Sequence, residues 1–381
     1  MANHRHTFTY PTRIEYGPNA MKDFTKIVQE KGLKKGLIVT DKGIEKVGTA
    51  NQLKDFFTDV SVESVIFNNV KSNPTEENVL EGTKVYKDEN CDFIVALGGG
   101  SPIDAGKTIK VMATHNGPLA KYDDMKGGDK YIVDNMPPFY AIPTTAGTGS
   151  EVGRSSVINI NDKKVIIYSP FMMPDIAVLD PLITVSLPSK LTAATGVDAF
   201  VHSLEAYIME TYHPMADAIA KEAMEMCVKN LEIAVNKGSD IIARGNMLMA
   251  SAMGAIAFQK GLGLNHAIAH GLGVFYDMHH GLANAVVLTE VMKYNISRES
   301  TRKRYASLGS IFGVENDADS VIEAVGEWLK SVGIDVSLTD LNVEESQFQK
   351  LEEYALADPC CPLNPKEVEK GDVVRILNKL I

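Results

Sequence analysis

Asp198 and His202 stand four residues apart, and His266 and His270 repeat that spacing. On a helix, side chains four apart project from one face, so each pair delivers metal-ligating groups to a single spot. Both pairs lie in strongly apolar surroundings, 196–202 and 262–270, where an unpaired carboxylate would be costly to bury. A shared divalent cation removes that cost. His280 follows after a glycine-broken segment, with His279 beside it as a competing ligand. Three imidazoles and one carboxylate suit Fe2+ or Zn2+, whereas Mg2+ prefers more oxygen ligands. The set Asp198, His202, His266 and His280 leaves His270 as a nearby non-ligand. Spacing alone does not choose between His279 and His280.

A second chemistry lies upstream. Gly98-Gly99-Gly100-Ser101-Pro102-Ile103-Asp104 follows an apolar run and leads into a helix expected over 105–112. Glycines let the backbone approach a pyrophosphate, and a helix N-terminus offers free N–H groups and a positive dipole end. Ser101 and Asp104 could equally be helix caps. The turn is neither GxGxxG nor a Walker loop, because Lys107 lacks the required spacing. A second polar turn, 143–151, follows another strand pattern. In a doubly wound sheet, ligands gather at the carboxyl ends of strands, so the two turns could flank one dinucleotide. Asp41 ends the first strand pattern. An acid there accepts from ribose hydroxyls and repels a 2′-phosphate, favouring NAD over NADP; alternatively it caps the helix that begins at Lys42. A metal that polarises oxygen and a dinucleotide that takes hydride predict a metal-dependent alcohol dehydrogenase.

The elements that must position these groups change character along the chain. In the first half, strand patterns at 36–40, 62–67, 93–97 and 139–143 alternate with helical patterns such as 21–30 and 77–87. That alternation predicts a parallel sheet with helices on both faces. From about Pro181 strand signals vanish, and helical patterns such as 216–234 and 243–258 run on to Ile381. The expected organisation is an α/β Rossmann-like dinucleotide domain over 1–185 and an all-helical metal-binding and substrate domain over 186–381.

Composition narrows the function. At 381 residues and 45% hydrophobic content the chain suits two domains. A net charge of −11 argues against nucleic acid and anionic membrane surfaces as partners. The four cysteines, Cys91, Cys227, Cys360 and Cys361, form no CxxC pair, so reduced thiols in a cytoplasmic protein are expected. The first residues lack the apolar core of a signal peptide, and no uninterrupted apolar run is long enough to span a bilayer.

These motifs resemble those of the iron-dependent, or group III, alcohol dehydrogenases over nearly the whole chain. The resemblance runs through Tyr16-Gly17, Val39-Thr40-Asp41, Asn73-Pro74-Thr75, the 98–104 turn and 144–151, then 191–198, Gly261-Leu262-Gly263 and His280-Gly281. It implies iron at Asp198, His202, His266 and His280, with His270 close to nicotinamide and substrate. It implies cofactor contacts at Asp41, Asn73, Gly99, Gly100, Ser101, Thr144, Thr145, Thr148 and Lys164. It also implies a dehydroquinate synthase-like architecture and a homodimer or larger homo-oligomer. Related glycerol dehydrogenases use zinc, so a zinc-dependent polyol dehydrogenase is the alternative, with a non-catalytic metal- and nucleotide-binding protein beyond it.

The expected reaction is reversible NAD(H)-linked hydride transfer with a short primary alcohol or aldehyde, His270 relaying the hydroxyl proton. Three residues depart from the resemblance: Gly153, where Thr or Ser is common, Asn265, where an apolar residue is usual, and Gly271, where a larger residue is frequent. With Arg154 nearby, they suggest a roomier, more polar pocket and a hydroxy-, carboxy- or sulfo-aldehyde.

Overall fold

The computed structural model describes residue 10, residues 12–161 and residues 163–381. The chain divides into two compact units, one of Tyr10–Thr145 with Gly149–Ser186, the other containing Ala146–Thr148 and Leu187–Ile381.

The first unit holds β1 (Arg13–Tyr16), β2 (Lys35–Val39), β3 (Glu63–Phe67), β4 (Phe93–Gly98), β5 (Phe139–Pro143), β6 (Ser155–Ile160), β7 (Lys163–Tyr168) and β8 (Ile176–Leu179). Six of them form one parallel sheet in the order β1-β8-β5-β4-β2-β3, while β6 and β7 pair antiparallel. Helices α1 (Ala20–Glu30), α2 (Lys42–Val47), α3 (Thr49–Asp59), α4 (Glu76–Asp88) and α5 (Gly100–Thr114) accompany it. Every residue of β4 is buried, as expected of an interior parallel strand covered on both faces. Alternation along the strands feeds two cores. Leu37, Val39, Ile94 and Ala96 join one, with Ile103 and Ile109 of α5; Ile38, Phe93, Val95 and Leu97 join the other, with Phe24 and Phe57. Each such side chain contributes about 1.5–3 kcal/mol by leaving water.

Four strands lie outside the sequence expectation. β1 and β8 are four residues each, too short for a period-2 pattern to register. The β6–β7 pair follows the polar turn in a segment where no strand was expected, although Asn161 adopts a positive φ there, a turn signal the residue type offers. Helix α5 starts at Gly100, five residues before the expected 105, with Gly99 at its N-cap. Pro102 is no obstacle to this, since the first turn has no intrahelical use for its missing N–H.

The second unit contains α6 (Ser189–Ile208), α7 (Pro214–Asn236), α8 (Ile241–Ala257), α9 (Leu264–Tyr276), α10 (His280–Asn295), α11 (Glu299–Ala306), α12 (Gly309–Phe312), α13 (Ala318–Ser331), α14 (Phe348–Ala357) and α15 (Asp372–Leu377), and no strand among the described residues. Helix α6 is buried round its whole circumference from Thr192 to Ala206, the mark of a core helix, and it packs against α7, α8 and α10. The segment Ile241–Lys260 is long and apolar enough to cross a membrane by length and composition, and 61% of its apolar window is buried inside the protein.

Candidate metal centre and nucleotide turns

Helix α6 supplies Asp198 and His202, α9 supplies His266 and His270, and α10 opens with His280. The approach of α10 to α6 depends on Gly281, where a Cβ would lie 2.0 Å from the carbonyl oxygen of Ala194. With only hydrogen there, the first turn of α10 settles against α6 and His280 meets Asp198.

The four donor atoms of Asp198, His202, His266 and His280 lie within 4.8 Å of one another. Asp198 Oδ1 is 3.5 Å from His280 Nε2, 3.8 Å from His266 Nε2 and 4.0 Å from His202 Nε2. Ligands of one tetrahedral ion are about 3.4 Å apart at ordinary bond lengths, so shifts well under an ångström would seat a metal. His279 stands outside this group, exposed at the N-cap of α10.

Other side chains aim the imidazoles. His202 Nδ1 faces the Gly147 carbonyl at 3.3 Å, and His266 Nδ1 faces Glu205 Oε2 at 2.6 Å. A proton on each Nδ1 satisfies these acceptors and leaves each Nε2 lone pair for a metal. Burial pushes the His266 and His280 imidazoles well below their usual range, keeping them in the neutral, ligating form. Burial pushes the Asp198 carboxyl up, but His202, His280, His266 and an N–H from Asn284 outweigh it and hold the group at about 2. Asn284 Nδ2 donates to Asp198 Oδ1 at 2.8 Å. Beside the cluster, His270 Nδ1 lies 2.8 Å from Asp358 Oδ2, and the His270 ring stacks on His280 at 5.4 Å.

In the α/β unit, the order of strands reverses between β2 and β4, the switch point where doubly wound sheets open a crevice. Thr40 at the end of β2 donates to the Leu97 carbonyl of β4 at 2.8 Å, and Thr144 N donates to the Gly98 carbonyl at 2.9 Å. Asp41, Gly99 and Thr144 therefore share one end of the sheet. Gly98 has φ +154° and leaves no room for a Cβ against Pro102, so only glycine turns the chain there. A Cβ on Gly99 would sit 3.3 Å from Thr145 Oγ1, which places Thr145 against the turn. Ser101 Oγ donates to the Ser72 carbonyl, next to Asn73. Neither Ser101 nor Asp104 caps α5, whose N-terminus has no side-chain cap; its first N–H groups remain available to an anion. Asp104 instead accepts from Ser150 Oγ and Val157 N. Asp41 does cap α2, accepting from Ile44 N through Oδ1. Lys164 pairs across from Asn159 on β7. Thr148 belongs to the helical unit.

Two of the three departing residues are packed inside the helical unit. Asn265 is 1% exposed and its Nδ2 donates to the backbone and side-chain oxygens of Asn284 at 3.0 and 2.9 Å. Gly271 is buried where a Cβ would press on Leu351 and Tyr354 of α14. A Cβ on Gly153 would face Lys107 Nζ at 3.5 Å. Arg154 lies over the ring of Tyr168 at 5.8 Å. Asn265 and Gly271 are thus taken up by internal packing and line no pocket, while Gly153 and Arg154 are half-buried.

Sequence reasoning missed Glu205, Asn284 and Asp358. Glu205 is one turn beyond His202 on α6, and Asn284 one turn beyond His280 on α10. Extending each ligand's helical face by one turn would have found both, as buried polar groups in apolar helices. Asp358, 88 residues from His270, left no local signal.

Comparison with known proteins agrees with this geometry. A family model described as iron-containing alcohol dehydrogenase matches residues 11–181, and one described as the C-terminal part of the Fe-containing alcohol dehydrogenase family matches residues 192–381. The chain is similar to 4-hydroxybutyrate dehydrogenase of Cupriavidus necator, at 38% identity over 97% of this chain and 98% of that one. Among solved structures, 1,3-propanediol oxidoreductase is similar at 37% identity and a TM-score of 0.93, covering 99% of this chain and 100% of the other. Sulfoacetaldehyde reductase from Bifidobacterium kashiwanohense, in complex with NAD+, is similar at 28% identity and a TM-score of 0.91, covering 99% of each.

Proposed function

This chain belongs to the iron-containing alcohol dehydrogenase family, and from that premise we propose that it interconverts a short primary alcohol carrying a second polar group with the corresponding aldehyde, using iron and NAD(H). The observation that carries the reading is the convergence of three imidazole Nε2 atoms on Asp198 Oδ1, with two of those rings aimed from behind by Gly147 and Glu205. Membership of the iron branch over both halves speaks against the zinc polyol alternative.

Asp198, His202, His266 and His280 would hold the iron, which when bound supplies Lewis-acid polarisation of the substrate oxygen. The uncapped N-terminus of α5, with Gly99, Gly100 and Ser101, would hold the pyrophosphate of NAD. The second carboxylate oxygen of Asp41 would accept from the ribose, and Asn73, Thr144, Thr145, Thr148 and Lys164 would supply further cofactor contacts. His270 keeps a proton on Nδ1 for Asp358, so its Nε2 is the atom that accepts and returns the substrate hydroxyl proton.

The substrate class rests on the relatives. 4-Hydroxybutyrate and 1,3-propanediol are primary alcohols with a second oxygen function at the far end, and sulfoacetaldehyde is likewise bifunctional. A homodimer or larger assembly and a cytoplasmic location fit the same reading.

The test is anaerobic NADH oxidation by Fe2+-reconstituted protein over neutral, hydroxylated and anionic short aldehydes. A marked preference for bifunctional members is expected; equal efficiency on propanal and its polar analogues would sink the substrate class. His270→Ala should keep iron and lose about 100-fold or more in turnover, whereas lost iron would make it a ligand.

A further inference from the structure

Next to the iron ligands lies a second group of donors with different chemistry. A ring nitrogen of His270, a carboxylate oxygen of Asp358 and the Sγ of Cys360 lie within 4.8 Å of one another. The three come from α9 and the turn after α14. Asp358 is their centre: Oδ2 faces His270 Nδ1 at 2.8 Å, while Oδ1 accepts from the backbone N–H of Cys360 at 2.9 Å. Both outer members are partly exposed, whereas the Asp198 set is buried except at His280.

We propose that His270, Asp358 and Cys360 form a second, inhibitory site for a thiophilic divalent cation such as Zn2+ or Cd2+. Hardness separates the two sites. The Asp198 set offers only nitrogen and oxygen, while the second set adds sulfur, the donor that selects zinc and softer ions. Access separates the thiols. Cys91, Cys227 and Cys361 are buried, and Cys360 alone is partly exposed. Charge permits both ions at once. The Asp358 carboxylate and a Cys360 thiolate together cancel the two positive charges of the incoming cation, so the iron next door faces no net charge. Binding is balanced as one sulfur–metal bond formed for one thiol proton released to solvent. The cation takes the Nδ1 position beside Asp358 and the ring proton moves to Nε2, so Nε2 can no longer accept the substrate proton, which is why the cation inhibits. That last step rests on the proton-relay role given to His270 above; binding itself does not.

The experiment titrates the iron-loaded protein anaerobically with Cd2+. A sulfur-to-cadmium charge-transfer absorbance should saturate at about one equivalent, with about one proton released and iron content unchanged. Aldehyde reduction should fall with the same midpoint. Cys360→Ser, checked for folding by its retained iron, should lose the absorbance and need about tenfold more Cd2+ for half inhibition. Asp358→Asn should weaken the absorbance as well, and Cys361→Ser should keep it. Iron released in step with cadmium uptake, or an undiminished absorbance in Cys360→Ser, overturns the proposal. Binding at Cys360 without loss of rate overturns the inhibitory role proposed for the site, and with it the relay role of His270 on which that inhibition rests.

Discussion

Glu205 Oε2 lies 2.6 Å from His266 Nδ1, and the other oxygen of the same carboxylate accepts from the Asn265 backbone N–H at 2.8 Å. One buried carboxylate thus fixes both the ring orientation of a metal ligand and the start of the helix that carries it. Glutamine in its place has one acceptor for these two donors. Either its NH2 meets the Asn265 N–H, or it meets His266 Nδ1 and drives the ring proton to Nε2, where the metal belongs. Glu205→Gln should lower iron affinity about 10–100-fold, read by chelator competition under anaerobic conditions. An unchanged affinity would show that Glu205 does not aim the ring.

A second prediction concerns the amide pair behind Asp198. Asn265 donates to Asn284 Oδ1, so the Asn284 amide can only turn its NH2 toward Asp198. If Asn284 flipped, an oxygen would face the carboxylate. Asn265→Leu removes the lock and should weaken iron binding about tenfold. It should not unfold the protein. Asn265 Oδ1 has no hydrogen-bond partner, and relieving such a buried acceptor offsets about 1–3 kcal/mol of what is lost. Iron-to-protein ratios after dialysis, together with thermal unfolding, separate the two effects.

Local periodicity explains what was legible in advance. Asp198, His202 and His266 were readable because four-residue spacing on an apolar helix is a local pattern, and β4 with its glycine turn because an unbroken apolar run ends there. Spacing leaves His280 and His279 open; the resemblance chooses His280, and the N-terminus of α10 sets it beside Asp198. Glu205 and Asn284 carried a readable signal, one helical turn beyond each ligand. Asp358 and the Gly147 carbonyl carried none, since tertiary packing brings them to the rings. Asn265 and Gly271 were misjudged for the same reason. Residue type suggested a pocket wall, while the fold commits one to Asn284 and the other to α14.

Gly281 tests whether the helix approach builds the centre. A methyl group there would overlap the Ala194 carbonyl and crowd the Asp198 Cβ at 3.3 Å. Backbone cannot swing aside as a side chain can, so Gly281→Ala must move α10 from α6. The expected cost is about 1–3 kcal/mol in stability, with a loss of iron larger than that of any variant distant from the cluster. Denaturant unfolding and metal analysis on one preparation check both. A variant that keeps full iron occupancy would mean that His280 tolerates a displaced helix.

The last prediction concerns a buried charge pair of the α/β unit. Glu151 is 1% exposed with Oε1 unpartnered, and Lys107 is fully buried, its Nζ donating to Ser150 Oγ and the Ser155 carbonyl at 2.8 Å each. Burial lifts the Glu151 carboxyl from 4.5 to about 7, against the pull of a backbone N–H and of Lys107. Burial lowers Lys107 from 10.5 to about 8, against the pull of Asp104 and Glu151. The signs oppose. The raised group favours folding fully below pH 4.5 and loses that contribution as pH rises through about 7. The lowered group contributes fully above pH 10.5 and loses that contribution as pH falls through about 8. From these two groups, stability should fall between 4.5 and 7 and recover between 8 and 10.5. Glu151→Gln should abolish the acid-side fall. The variant should match the parent near pH 4.5 and exceed it near pH 8 by at most about 3 kcal/mol. Lys107→Met should flatten the alkaline recovery. Urea midpoints across that range decide it: parallel curves for parent and Glu151→Gln would mean that Glu151 stays ionised in the folded protein, compensated by Lys107.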